Sequence, residues 1–373
     1  MKKTMTVFLS FLLFDFITCS SIYAEDASKD TLLARIEKLE QRQSLLSRSW
    51  MHRIAVSGIL EAEAGFVRTD HSDPAAANTD ESDAVLATMG LGICADITDY
   101  VSGHMVFLWE EDDTDPINLD TGFIIVSGGD KLPVYVNAGK MYLPFGVFHS
   151  SMISDPLTLE LAETRESAVQ IGFEANGFYG STYIFNGEID EDGKDSHLDN
   201  FGAHVGVVVE ADKFFLDVSA GYTNNILDSD GLGDYLTETM EAEGVVLNKY
   251  VEGISASACF FLGPVILVGE YITALDKTEF ISETDETAAT GKKMSAFNAE
   301  MACAFPCFGK ETTVGIAYQG STHTGNFLPE TRMMGAARAC IFDGTTLALE
   351  YSRDKFENDD KVDRVTAQLA IEF

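Results

Sequence analysis

The chain has 373 residues, of which 46% are hydrophobic and 10% aromatic, and its 60 acidic and 25 basic side chains give a formal net charge of −35. The hydrophobic content excludes a disordered chain, and the charge excludes nucleic acid and anionic lipid headgroups as partners. The six cysteines include no Cys-x-x-Cys pair, which argues against a disulfide framework and a zinc site, so we expect no cofactor.

The first 24 residues have the order of a secretory signal peptide. Lys2 and Lys3 precede an apolar run from Met5 to Ile17, and small residues follow up to Ala24. The run is too short to cross a bilayer as a helix. We expect cleavage after Ala24, with lipoprotein attachment through Cys19 as the alternative.

Residues 25–50 form a separate segment with helical periodicity. The residues of one helix face recur at alternating spacings of four and three, at Leu32, Ile36, Leu39, Gln43 and Leu46. This spacing is typical of a coiled-coil seam. Because so short a helix is marginal alone, we predict a periplasmic coiled coil that forms within a homo-oligomer, with a trimer as the expected state.

From Ile54 onward the period of the pattern is two. In "RVTAQLAIEF", residues 364–373, apolar side chains alternate with small, polar and charged ones, as expected of a strand between lipid and water. Sixteen such segments of roughly 9–12 residues can be counted. They lie near 54–67, 84–96, 100–110, 119–127, 133–142, 167–175, 178–186, 201–210, 214–223, 250–261, 265–273, 295–305, 312–319, 332–341, 346–352 and 364–373.

The connections between these segments alternate strictly between short and long, and the long ones collect acid, as in "EEDDTDP" and "FENDDKVD". Short periplasmic turns and long external loops are typical of membrane barrels, and barrel closure leaves no unpaired sheet edge in lipid. A last strand that ends in phenylalanine, here Phe373, fits the same class. We predict an all-β, 16-stranded antiparallel transmembrane barrel over residues 51–373 in a Gram-negative outer membrane, without enzymatic activity.

Sixteen strands enclose more space than side chains fill, so an aqueous passage is expected. Strict alternation along the strands predicts which side chains line it, although a bulge shifts the assignment wherever one occurs. The glutamates among them favour cations. The predicted lumen-lining residues are Glu61, Glu63, Lys140, Glu270 and Arg338.

One stretch does not alternate: "GKMYLPFGVFHSSMISDP", from Gly139 to Pro156. By strand count it opens the third long connection, residues 143–166. In sixteen-stranded porins the third loop commonly folds into the barrel, and the prolines, glycine and aromatic residues supply bends and packing groups for such a loop. We predict a pore-constriction loop that uses Tyr142, Pro144, Phe145, Phe148, His149 and Asp155.

Two other interpretations of this stretch are disfavoured. His149 beside Ser150 suggests a base and a nucleophile, but adjacent residues rarely reach triad geometry and no nucleophile-elbow motif surrounds them. Asp155, Glu160 and Glu163 suggest calcium, but they lack EF-hand spacing. The acidic external loops are expected to bind divalent cations that bridge to lipopolysaccharide, at sites that the sequence does not identify.

Residues 139–187 also resemble the LbtU family of siderophore porins. The shared pattern is "GKMYLPFGVF", then "ISDPLT", a glutamate-rich stretch, a glycine-containing strand and "FNG". The resemblance implies a sixteen-stranded outer-membrane barrel associated with siderophore uptake, and it transfers no binding residues. A signal peptide, a short coiled coil and a terminal phenylalanine are also features of that family, so the likeness spans the chain.

The expected function is passive uptake of a small solute, with a ferric siderophore as the solute that the resemblance implies. A general or cation-preferring diffusion porin is the alternative. A further alternative is an adhesin or envelope-anchoring barrel without transport. A phosphate-selective porin is disfavoured because its lumen would need a ladder of inward Lys and Arg, which this sequence lacks.

Overall fold

The computed structural model describes residues 53–111, 117–129, 132–192, 197–211, 214–282 and 288–373. The predicted signal peptide, residues 1–24, and the predicted coiled-coil segment, residues 25–50, lie outside the described residues. Across the ranges given, no helix is both long and apolar enough to cross a bilayer.

Sixteen antiparallel strands close into a barrel, which confirms the predicted fold class and each of the sixteen predicted segments. Ends differ from the prediction by a few residues, as in the second strand, which begins at Thr79. The barrel strands are β1 Ile54–Asp70, β2 Thr79–Asp96, β3 Val101–Trp109, β4 Asn118–Ser127, β5 Val134–Tyr142, β6 Arg165–Ala175, β7 Phe178–Phe185, β8 Asn200–Ala211, β9 Phe214–Thr223, β11 Gly253–Leu262, β12 Val265–Ala274, β15 Ser295–Cys307, β16 Lys310–Thr322, β17 Thr331–Phe342, β18 Thr345–Lys355 and β19 Lys361–Glu372.

Each strand pairs with its neighbours around the ring, and β19 pairs with β1 to close it. In the closing pair Leu60 lies opposite Ile371 and Glu63 opposite Gln368. Beyond the strand end, the Gly58 amide donates to the Phe373 carbonyl at 2.9 Å. Closure pairs the backbone polar groups between strands, which hydrocarbon requires because it offers them no other partner.

The two faces of each strand differ as the alternation predicts. In β16, Val314, Ile316 and Tyr318 point outward and are 44%, 57% and 45% exposed, whereas Ala317 and Gln319 point inward and are buried. A continuous surface of exposed aliphatic and aromatic side chains around a closed barrel is what a lipid environment requires. The outer face of the wall is therefore apolar, the reverse of a water-soluble domain.

A β-bulge in the β1–β2 pair, between Glu61 and Ala62, changes the predicted facing of one segment. Simple alternation along β2 placed Val85 with Met89 on the outer face. Because the bulge adds one residue to β2, Val85 lies opposite Glu63 and shares its inward face. Alternation alone therefore assigns Val85 to the wrong face.

The long connections contain structure that the sequence did not reveal. Helices α1 (Leu157–Ala162) and α2 (Asp230–Glu243) pack against each other, and β10 (Val245–Leu247), β13 (Glu279–Ser282) and β14 (Ala288–Thr290) form a small antiparallel sheet. Gly244, with φ of 62°, ends α2 in the left-handed conformation that glycine tolerates. These elements share one apolar core with inward residues of the wall, so the long connections partly fill the barrel.

The outward position of Ile316 provides a test of the lipid-facing surface. It lies at the middle of β16 and is 57% exposed. We expect Ile316→Lys to lower the free energy of unfolding in lipid vesicles by about 2–4 kcal/mol. Thr312→Lys, close to one end of the same strand, is expected to cost about 0–1 kcal/mol. Equal costs at the two positions, measured by denaturant titration, contradict the membrane-spanning assignment.

Candidate functional site

The connection between β5 and β6, residues 143–164, is named here the luminal loop. It lies against the inward side chains of β9, β11, β12 and β15 to β18, which are seven of the sixteen strands. On these strands the residues next to the contact positions expose apolar side chains to the outside of the barrel. The luminal loop therefore lies in the barrel interior and covers about half of the wall's circumference.

The loop first meets the wall at Phe145. Its carbonyl accepts a hydrogen bond from the Ser255 hydroxyl of β11. Gly221 of β9 lies opposite Ser255 in register, and a Cβ on Gly221 would lie 2.1 Å from the Phe145 oxygen. Only glycine therefore permits this approach of the two backbones. The Phe145 ring is buried in the apolar core.

Glu270 of β12 holds the next part of the loop. Its carboxylate accepts hydrogen bonds from the backbone N–H of Val147 at 2.7 Å and of Phe148 at 3.3 Å. It also accepts the Thr158 hydroxyl at 2.7 Å. Phe148 has a φ of 56°, unfavourable for a bulky residue. Successive N–H groups that converge on one anion form a known anion-binding geometry, which compensates this conformation.

Two further inward carboxylates repeat the arrangement. Glu300 of β15 accepts the Ser150 hydroxyl and the Ser151 N–H, both at 2.8 Å. Glu350 of β18 accepts the Ser154 hydroxyl at 2.6 Å and its N–H at 3.3 Å. We call Glu270, Glu300 and Glu350 the docking glutamates. Each charged hydrogen bond of this kind contributes about 1.5–3 kcal/mol.

The loop returns to the wall through α1. The N–H of Leu157 donates to the Gln319 side-chain oxygen of β16 at 3.1 Å. Leu157 and Leu161 are fully buried in the core that α2 and β12 complete. Hydrogen bonds to the docking glutamates thus hold the tip of the luminal loop, and apolar packing holds its base.

The six predicted constriction residues all lie in or beside this loop. Tyr142 ends β5 and donates its hydroxyl to Asp120 at 2.9 Å, and Pro144 is half-buried. The carbonyl of His149 accepts the Asn298 amide at 3.4 Å. The carbonyl of Asp155 accepts the Arg332 guanidinium at 3.3 Å.

The serine next to His149 has a structural role. The Ser150 hydroxyl donates to Glu300 and also accepts the Met152 N–H at 3.0 Å. It is therefore fixed by the docking of the loop. No group of three His, Cys, Asp or Glu side chains within the described ranges is placed to hold a metal, and the five described cysteines are free thiols.

The predicted lumen-lining residues fall into two environments. Glu270 is buried beneath the luminal loop. Glu61 and Glu63 point into the barrel from β1, on the side that the loop leaves uncovered, and are half-buried. Glu63 accepts the Gln368 amide at 2.9 Å. Arg338 of β17 points inward and donates to the Met152 carbonyl at 3.4 Å.

Lys140 is placed differently from the prediction. It pairs with Gly122 and Ser167 and shares the face of β5 on which Val136 and Ala138 are exposed outward. Alternation along β5 gives the inward positions to its odd-numbered residues, such as Asn137, which is buried. The lumen-lining assignment of Lys140 is therefore corrected to the outer face, near the end of the strand.

The interior is also less acidic toward water than the sequence suggests. The three docking glutamates are 5% exposed or less, because the loop covers them. On β17 to β19, Arg332 and Arg364 share the buried carboxylate of Asp354. The interior therefore presents arginine as well as glutamate, and burial of the docking glutamates weakens the expected preference for cations.

A half-buried acid lies where α1 ends. The Glu163 carbonyl accepts the Asp230 N–H at 2.8 Å, which joins the luminal loop to the start of α2. Burial raises the pKa of the Glu163 carboxyl to about 8, and the nearby Asp155 and Asp230 act in the same direction while Arg165 opposes them. Near neutral pH this carboxyl is largely protonated, which relieves repulsion among the acids at the junction.

No family model matches the chain. A UPF0422 protein of Coxiella burnetii is 27% identical over 312 residues, which is 82% of this chain and 64% of that protein. A UPF0422 protein of Legionella pneumophila strain Lens is 24% identical over 325 residues, covering 81% of this chain and 59% of that protein. The chain thus spans about three-fifths of the length of the curated relatives it matches.

Solved outer-membrane channels share the barrel. The channel DcaP of Acinetobacter baumannii superposes with a TM-score of 0.59 at 11% identity, over 86% of this chain and 97% of DcaP. Pseudomonas putida OprB gives 0.59 at 8% identity, over 90% and 97%. An anion-selective porin from Comamonas acidovorans gives 0.57 at 12% identity, over 86% and 99%. At these identities the likeness establishes the sixteen-stranded fold.

The raised pKa of Glu163 predicts a pH-dependent junction between α1 and α2. Because the pKa of the Glu163 carboxyl is raised on folding from 4.5 to about 8, stability falls as pH rises from about 4.5 to about 8 and levels off above that. We expect amide exchange at Asp230, corrected for intrinsic rates, to accelerate between about pH 5 and pH 8 and to change little at higher pH. Glu163→Gln should remove this dependence, and the exposed Glu188→Gln should keep it. A dependence that persists in Glu163→Gln contradicts the assignment.

Proposed function

We propose that the protein is an outer-membrane channel through which a small hydrophilic solute diffuses passively. The observation that carries the proposal is the luminal loop, held against seven strands by the docking glutamates and by the core around α1. A loop that only connected two strands would not need three buried carboxylates from β12, β15 and β18. A loop that must stay in a fixed place inside a barrel does need them.

The passage runs on the side that the luminal loop leaves open. There Glu61 and Glu63 of β1, His104 of β3 and Arg364 of β19 point inward and are partly exposed. Polar side chains of both signs on this wall suit a hydrated solute that carries charged groups. Charge on both sides of a narrow path orients such a solute as it passes.

The solute class proposed is a ferric siderophore, supported by the resemblance of residues 139–187 to LbtU-type porins. That stretch includes the whole luminal loop, the segment that determines the width of the passage. The arginines of β17 to β19 offset the acid that would otherwise repel carboxylate-bearing chelators. A general diffusion porin remains the second candidate, because half-exposed residues on β1 and β3 leave room for unrelated solutes.

The proposed surroundings follow from the same assignment. The outward apolar face contacts lipid or neighbouring copies, and a homotrimer is the proposed assembly. The acidic external connections contact lipopolysaccharide through divalent cations. The segment before β1, residues 25–50, is proposed to lie in the periplasm.

Loss of the docking glutamates should widen the channel. We expect Glu300→Ala combined with Glu350→Ala to release the tip of the luminal loop, because its N–H groups lose their buried acceptors. Single-channel conductance should rise roughly twofold if the released loop clears half of the cross-section. Glu174→Ala, at an inward acid away from the loop, is the control. Deletion of residues 145–153 should give the same increase.

Both variants are first checked for a folded barrel by heat-modifiable gel mobility. Unchanged conductance in two folded variants removes the luminal loop from the narrowest part of the passage.

Liposome swelling distinguishes the candidate solutes. We expect a ferric siderophore to enter liposomes that contain the protein faster than a neutral sugar of similar mass. Entry ordered by size alone indicates the general porin, and faster entry of cations than of anions of equal size indicates a cation-preferring one. Liposomes that do not swell with any solute contradict transport and favour an anchoring barrel.

A further inference from the structure

Two arginines share one buried carboxylate on the inner wall, near the external ends of β17, β18 and β19. Asp354 of β18 is 0% exposed. It accepts Nε and Nη2 of Arg332, from β17, at 2.9 Å and 3.1 Å, and it accepts Nη1 of Arg364, from β19. Two positive groups against one negative group leave one positive charge in excess at this point of the wall.

The two arginines differ in how many of their donors are used. Nη1 of Arg332 donates to the Asp155 carbonyl of the luminal loop at 3.3 Å, and its side chain is only 13% exposed. The Arg364 side chain is 34% exposed. Among the described residues its guanidinium has no hydrogen bond or ion pair besides the one to Asp354. Since a guanidinium carries five N–H donors, most of the Arg364 fork is left for a partner in the passage.

The wall beside Arg364 is uncharged. In register, Arg364 lies between Ser352 of β18 and Val67 of β1. The next inward residues toward it on the open side are Thr366 of β19 and Thr69 of β1, both half-buried. Alternation places their hydroxyls on the same inner face, where a hydroxyl can donate to an anion. The luminal loop does not cover this side of the barrel.

The acids of the inner wall are either occupied or distant from Arg364. Glu350 is 1% exposed and accepts donors of the luminal loop. Glu63 is four residues further along β1 than the residue opposite Arg364 and accepts the Gln368 amide. Glu81 and Asp83 are exposed on β2, two strands away, which is about 10 Å or more. Salt screens exposed charges beyond about 8 Å, so the excess positive charge determines the potential at Arg364.

We propose that Arg364 binds a carboxylate of the solute at the external entrance of the passage. The inference rests on the proposed channel function and names the solute class, a small polycarboxylate. The planar fork of a guanidinium matches a carboxylate in a bidentate geometry. Asp354 is a positioning residue, because it holds one edge of the Arg364 fork and turns the remaining donors toward the passage. Arg332 anchors Asp354 to the luminal loop.

The test uses citrate as the probe, added to both sides of a planar bilayer that contains the full-length channel in potassium chloride. We expect citrate to interrupt the single-channel current. Arg364→Gln should raise the half-blocking concentration about tenfold or more, because a charge-assisted hydrogen bond is lost. Arg364→Lys keeps the charge but loses the fork, so its value should fall between the two. Arg353→Gln removes an arginine from the outer face of β18 and should block like the unchanged protein.

Each variant is first checked for a folded barrel by heat-modifiable gel mobility. A conducting channel that citrate does not block overturns the assignment of Arg364 and leaves the channel proposal intact. Equal block in the unchanged protein and in Arg364→Gln does the same. A folded barrel that conducts no ion contradicts the proposed function, and this inference with it.

A second variant keeps the test decisive if Arg364→Gln does not fold. Val67→Glu places a carboxylate opposite Arg364 and leaves the bonds to Asp354 in place. It should occupy the fork and weaken citrate block about tenfold or more. Val85→Glu adds the same charge to the inner wall opposite Glu63 and should retain the block. Equal citrate block in folded Val67→Glu and Val85→Glu overturns the proposal.

Discussion

The interior of this barrel is organised by hydrogen bonds between backbone N–H groups of one loop and carboxylates that the wall buries. Glu270, Glu300 and Glu350 stand on three different strands, and each accepts at least one N–H of the luminal loop. An ionised carboxylate away from water needs several donors, and an exposed run of N–H groups needs an acceptor. The loop N–H groups supply the donors that the carboxylates need, and the carboxylates supply the acceptors that the N–H groups need. Neither the position of the loop nor the buried carboxylates would therefore be stable alone.

Apolar packing completes what the carboxylates begin. Met152, in the tip, lies against Ala317, Met334 and Ala336, and the base of the loop enters the larger core with α1 and α2. Small residues on the wall make this possible, since a Cβ on Gly315 would lie 2.8 Å from the Met152 methyl group. The wall thus fits this loop through its inward carboxylates and its small residues, and the opposite side of the interior is left uncovered.

Much of the barrel could be predicted because lipid imposes a simple rule on the sequence. Outward side chains must be apolar at every second position, so strands such as β9 and β16 can be located from this alternation alone. The same rule fails at the bulge in the β1–β2 pair, where one extra residue in β2 moves the residues beyond it to the opposite face. Nothing in the local sequence marks this bulge. Lys140 was misplaced because a lysine near a strand end extends to the rim and tolerates the outer face.

The interior was harder to predict than the wall. Inward glutamates look alike in a sequence whether they meet water or a loop, so the burial of Glu300 is visible only once the loop is in place. Helix α2 was missed because its apolar residues, such as Leu232 and Leu236, are few and its other faces are polar. The pairing of Gly221 with Ser255 depends on register between two strands, and no local signal marks that pair as a docking point.

The docking bonds also impose an order on assembly. Glu270, Glu300 and Glu350 are separated from their partners in the luminal loop by 123, 149 and 196 residues of chain. The loop precedes all three in the chain, yet it gains its contacts only after β12, β15 and β18 have joined the sheet, and contacts between distant residues form slowly. Until then Phe145 and Leu157 have no core to enter. An incomplete barrel therefore exposes the apolar side chains of the luminal loop, which a complete barrel buries. A chaperone that recognises exposed apolar segments can thereby distinguish the two states.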